Sequence, residues 1–324
     1  MTTRKYWMWT GPSKSASEKD LKDKYQKIRA HGITGIFLEH ELPEAECHAI
    51  KEAGLELHAW MWTVNRGDQW IHDNHPEWYQ VSRSGKSCFD QPPYVAYYKW
   101  VCPSIPAVVD YIVGQAHDRA KNPLVDGVHL DYVRYPDVIL PRGLWSKYNL
   151  DQTEELPDYD FCYSDASRKA FQERYGYDPK TLDRPDIDQR WLHFRYDNVT
   201  NLVTKVVQSV HAEKKVVTAA VFPTPSLARK ICRQDWDKWP LDAVCPMTYN
   251  KFYEQEVDWI GDCIRENIDA VTFPVYAGLY LPDFKAGDLE KAVKVAHHRG
   301  AMGVSLFGSP SDAQWEEFER AIAG

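Results

Sequence analysis

Asp131 closes a short apolar run, VDGVHLD, and leads into Arg134, Tyr135 and Pro136. Strand alternation puts Val128 and Leu130 on one face and Gly127, His129 and Asp131 on the other. Aliphatics outside and Gly, His and Asp inside suit a parallel barrel, whose outer face meets helices and whose inner face ends at a polar mouth. Asp131 then stands at the carboxyl end of its strand, where barrel enzymes carry catalytic groups. The competing reading is a buried carboxylate that only accepts backbone hydrogen bonds. ITGIFLEHE repeats the pattern, with Gly35, Phe37 and Glu39 on one face and Ile36 and Leu38 on the other. Glu39 is thereby expected at the same mouth; a salt bridge to a mouth Arg or Lys is its structural alternative. His129, two residues before Asp131, can hydrogen-bond that carboxylate or a ligand hydroxyl, or serve as a satisfied core group. Arg134 is expected to pair with Asp131 and keep it ionised, which favours a nucleophile or base.

The remaining elements fall into order around these two strands. KYWMWT (5–10) reads as a first strand, Ser15 with Glu18 as a capping box, and Leu21, Tyr25 and Ile28 as a helix face. LELHAWMWT is a third strand that aims His58, Trp60 and Trp62 one way. Residues 64–103 form a long aromatic connection, expected to wall a cleft. A second insertion spans about 137–184, and a helix runs from about Asp186 to Lys214. KVVTAAVF, LDAVCPMTYN, IDAVTFPVYAG and GVSLFG supply strands five to eight, with helices between them. The sum is an α/β chain of 324 residues forming one (β/α)8 TIM barrel over 1–324, with long loops after strands three and four.

Composition narrows the partners. A formal net charge of −8 argues against nucleic acid. No run approaches the ~18 apolar residues of a membrane span. The 13 Trp and 19 Tyr are abundant enough to suggest stacking on the flat faces of sugars. Trp7, Trp9, Trp60, Trp62 and Tyr276 are the candidate platforms, each competing with plain core packing. Tyr249 and Asn250 offer hydroxyl and amide contacts. Seven scattered cysteines lack zinc spacing and do not form a disulfide framework, although Cys88 and Cys102 share one loop and can pair if oxidised. MTTRKYWMWT has no signal-peptide core, so the chain reads as cytoplasmic unless a leader has been removed. Oligomeric state is not legible.

DGVHLDYVRYP, FCYSDASRKAFQERYGYDP and VCPMTYN resemble the bacterial glycosyl hydrolase-like family 10, with support from HPEWYQVSRSGK and CPSIPAVVDYI. The resemblance covers about residues 30–308. It implies a TIM barrel that cleaves glycosidic bonds in a poly- or oligosaccharide without a cofactor, often in exported proteins. Chitinase-like barrels carry DGxDxDxE on this strand; here the aligned positions are Asp126, His129, Asp131 and Val133, so the chitinase acid is absent. Glycoside hydrolysis generally needs two carboxyl groups. Strands five to eight end in Phe222, Asn250, Tyr276 and Phe307 or Ser309, none of them acidic. Asp131, as nucleophile or base, and Glu39, as proton donor, are the expected pair, roughly 10 Å apart at the backbone given ~4.8 Å per strand step. Asp68, Asp137, Asp158 and Asp160 are loop alternatives to Glu39.

Two rivals remain. A metal-dependent hydrolase needs histidines on the first strand, which has none; His72 and His75 lie in a loop, and no metal site is expected. A non-catalytic glycan-binding barrel keeps the aromatic platforms and lacks a second carboxylate near Asp131.

Overall fold

The computed structural model describes residues 4–323; Met1–Thr3 and Gly324, the ends of the expected 1–324 barrel, lie outside the described residues. Eight parallel strands alternate with helices: β1 (Lys5–Thr10), β2 (Gly35–Glu39), β3 (Glu56–Trp62), β4 (Gly127–Asp131), β5 (Val216–Val221), β6 (Ala243–Pro246), β7 (Ala277–Tyr280) and β8 (Gly303–Phe307). They hydrogen-bond in the order β6-β5-β4-β3-β2-β1-β8-β7. Two bridges between the outermost strands, Val244 to Val275 and Met247 to Gly278, nearly close the ring into the expected (β/α)8 barrel.

The helices are α1 (Glu18–Ala30), α2 (Glu44–Glu52), α3 (Gln69–Asn74), α4 (Pro106–Ala120), α5 (Trp145–Tyr148), α6 (Asp165–Tyr175), α7 (Gln189–Ala212), α8 (Pro225–Cys232), α9 (Asp258–Ala270), α10 (Asp288–His298) and α11 (Asp312–Ala323). The capping box of α1 is made by Ser17 and Asp20, two residues beyond the expected Ser15–Glu18 pair. Leu21, Tyr25 and Ile28 are its buried face. The outward aliphatics Ile36, Leu38, Val128 and Leu130 are fully buried against the helices.

Inside the barrel, large rings fill the lower half. Trp7 stacks on Phe37, with centroids 4.6 Å apart and planes 5° from parallel, and Phe37 stacks on His129 at 3.7 Å. Gly35 makes this possible: a Cβ there lies 2.3 Å from the Trp7 ring.

Strand seven runs later than expected. Helix α9 runs on to Ala270, through residues expected to open the strand, and β7 begins only at Ala277. Tyr276 therefore sits at the start of the strand, 6.0 Å from Trp7, and Tyr280 takes the mouth position instead. Strand six likewise stops at Pro246, and Asn250–Tyr253 form a short 3-10 turn.

The two insertions pair with one another. Ser82 bridges Phe161, the Arg83 N–H donates to the Asp160 carbonyl at 2.8 Å, and the Tyr163 N–H donates to the Val81 carbonyl at 2.6 Å. A buried ion pair, Arg195 to Asp160 at 2.6 Å, ties them to α7. All seven cysteines are buried free thiols, so Cys88 and Cys102 are unpaired.

Candidate active site

A cavity of about 580 Å³ opens at the carboxyl ends of the strands, within the ~300–1,000 Å³ range of ligand sites. Asp131, Glu39, Trp9, Trp60, Trp62, Arg134 and Tyr249 all line it. Four other expected contacts do not. Trp7 and Tyr276 belong to the packed lower half of the barrel. Asn250 turns back to donate to the Gln255 carbonyl at 2.8 Å. His129 is fully buried beneath the floor, where its Nε2 accepts from the Trp9 indole at 2.9 Å and its Nδ1 meets Thr218 Oγ1 at 2.8 Å. The Trp9 bond requires a bare Nε2, so the proton sits on Nδ1 and is donated to Thr218. Burial first, and the nearby His58 second, hold the His129 pKa well below the usual imidazole value. His129 is therefore a neutral strut that orients Trp9.

Asp131 ends β4 and is 9% exposed. The Trp60 indole donates to its Oδ2 at 3.1 Å, and the Tyr132 N–H to its Oδ1 at 2.6 Å. Burial outweighs these donors and pushes the carboxyl up to about 6. The expected ion pair with Arg134 is not made. Arg134 binds Asp137 at 2.9 Å, three residues along the same loop, and lies between Trp100 and Phe222 at 4.9 and 4.8 Å. Its charge lowers the Asp131 pKa only partially.

Glu39 ends β2 with its side chain 25% exposed. Burial and then the Asp131 charge raise its pKa, so the two carboxyls sense one another. The Trp62 indole partly offsets that shift, yet its Nε1–H has no hydrogen-bond partner among the described residues. Trp60 and Trp62, both on β3, thus attend one carboxyl each. The loop alternatives are committed elsewhere: Asp68 faces Arg66 at 3.0 Å, Asp158 meets Lys86 at 2.6 Å, and Asp160 is held by Arg195. Asp137 lines the cavity but is neutralised by Arg134.

Several wall residues escaped the sequence reading. Tyr94, Tyr97 and Tyr98 come from the first insertion, and Lys147 and Tyr148 from the second. The tyrosine-rich run PPYVAYYKW was the available signal. Tyr280 and Phe307 form an aromatic cluster with Tyr249, with centroids 5.3–6.2 Å apart. His72 and His75 sit outside the cavity beside Asp73 and Glu77.

Residues 47–295 match the model of the glycosyl hydrolase-like 10 family. The chain belongs to that family. No curated protein matches it. Among solved structures, the PgaB (BpsB) glycoside hydrolase domain from Bordetella bronchiseptica superposes with a TM-score of 0.71 at 12% identity, covering 99% of both chains. The catalytic domain of β-amylase from Paenibacillus polymyxa gives 0.66 at 13% identity, again over 99% of both. A chitinase from Chromobacterium violaceum gives 0.57 at 10% identity, over 99% of this chain and 100% of its own. At such identities the likeness is one of fold.

Proposed function

We infer that the cavity hydrolyses glycosidic bonds of a poly- or oligosaccharide. The observation that carries this reading is the convergence of Asp131 and Glu39, each with a raised pKa, in a cavity walled by aromatic rings. Two interacting carboxyls titrate as a pair and share a proton over an intermediate pH range. Asp131 is the deeper of the two and holds that proton; it protonates the leaving oxygen. Glu39 is more open, remains ionised, and activates water. This reverses the roles expected from sequence, because Arg134 is paired with Asp137 and lowers the Asp131 pKa only partially.

A cleavage and binding screen against a glycan panel, run on wild type and Asp131→Asn, tests the reading. Cleavage by wild type alone, with binding kept in the variant, is expected. Binding by both proteins with cleavage by neither moves the chain to a glycan-binding barrel.

A further inference from the structure

The residues that follow the two carboxyls share an unusual backbone. His40, after Glu39, has φ of 52°, and Tyr132, after Asp131, has φ of 47°. Side chains of this size rarely adopt the left-handed region, and they stay there only where their surroundings hold them. Here both rings pack on Trp62, each with its centroid 4.8 Å away. The His40 N–H also donates to the Trp60 carbonyl at 2.9 Å.

This turn places His40 Nε2 3.6 Å from Glu39 Oε1. The His40 side chain is 45% exposed against 25% for Glu39, so the imidazole lies on the solvent side of the carboxyl. The charged groups around it are Glu39, Glu41 and Asp68 on the negative side, and Arg66 and Arg119 on the positive. Burial and the two arginines keep the imidazole below its usual pKa, and therefore neutral and able to accept a proton near pH 7.

We propose that His40 is a positioning residue for Glu39, exchanging that carboxyl's proton with bulk water between turnovers. The inference rests on the reading of Glu39 as the group that activates water. The attacking water gives its proton to Glu39 as its oxygen bonds to the sugar carbon. Glu39 passes that proton to His40 Nε2, and the imidazolium releases one to solvent. Both groups return to their starting states, and the proton released balances the one that Asp131, having protonated the leaving oxygen, regains from solvent. The present separation is longer than a hydrogen bond, and catalytic contacts of this kind tighten when substrate binds.

His40→Asn is the suitable variant, since Asn tolerates the left-handed backbone. On a glycan that wild type cleaves, kcat is expected to fall roughly tenfold with KM nearly unchanged, and added imidazole to restore it. Unchanged kcat, or a loss that imidazole does not rescue, overturns the role while leaving the hydrolase reading intact. No cleavage by wild type overturns both. NMR titration of His40 gives a readout free of turnover: its pKa is expected to drop in Glu39→Gln, and an unmoved pKa overturns the coupling.

Discussion

Asp131 concentrates the electrostatics of the site. Its carboxyl moves from 3.8 to about 6 because burial outweighs two hydrogen bonds and the partial field of Arg134. Two consequences follow in opposite directions. In the proposed reaction the protonated form is the working acid, so kcat/KM is expected to fall as pH rises through about 6. On the same reading the acid limb belongs to Glu39, whose pKa is raised by burial and by the Asp131 charge. A pH profile with its alkaline limb near pH 9 contradicts this assignment. For stability, the fold binds the proton more tightly than the unfolded chain does. The penalty for burying the ionised form is absent below about 3.8 and complete above about 6. Asp131→Asn is therefore expected to stabilise the protein by about 2 kcal/mol at alkaline pH, with the gain fading towards pH 4. Thermal denaturation at the two pH values measures it; equal gains at both contradict the sign. On the proposed reading, a carboxyl kept at a cost to the fold is the expected stability–activity trade-off.

At the scale of elements, β3 is the organising strand. Its Trp60 and Trp62 flank the two carboxyls, and its neighbours β2 and β4 carry them. The floor beneath depends on close packing of Trp7, Phe37 and His129, for which Gly35 leaves the space. Gly35→Ala forces a methyl group into the Trp7 ring and is expected to cost about 1–3 kcal/mol, read by chemical denaturation. A neutral result means the ring stack can shift. This level was partly legible in the sequence. Alternation alone placed Asp131 and Glu39 on inward faces and identified the aliphatic outer faces of β2 and β4. It failed where elements ended elsewhere than the pattern implied: α9 runs on to Ala270 and delays β7, and β6 stops at Pro246 ahead of a 3-10 turn, which took Tyr276 and Asn250 away from the mouth. Alternation also could not tell how deep an inward residue sits. Trp7 and His129 point into the barrel as expected, but below the cavity.

At the scale of the whole molecule, the barrel supplies the carboxyls and the two insertions supply much of the wall. The presence of long loops after β3 and β4 was readable from their length and turn-rich composition. Their joining was not, because it rests on bridges such as Ser82 to Phe161 between segments far apart in sequence. Nor was the diversion of Arg134, since a local i to i+3 partner on a loop leaves no periodic signature. Asp160 is the buried anchor of the joined insertions: Arg195 pairs with it at 2.6 Å, and Arg233 lies 4.0 Å away. Removing that carboxylate leaves buried guanidinium charge. Asp160→Ala is expected to destabilise the protein by about 3–5 kcal/mol. In the surviving folded fraction, KM is expected to rise, because the insertions carry Tyr94, Tyr97 and Tyr148 on the cavity wall. Unchanged stability contradicts the anchoring role.

The most direct test is the initial rate of glycosidic cleavage by wild type and Asp131→Asn, at matched pH near 5.5, on a glycan found by the screen. Loss of an essential acid predicts a fall of roughly 10²–10⁴-fold in kcat, with the glycan still bound. An Asp131→Asn protein that cleaves at the wild-type rate contradicts the account.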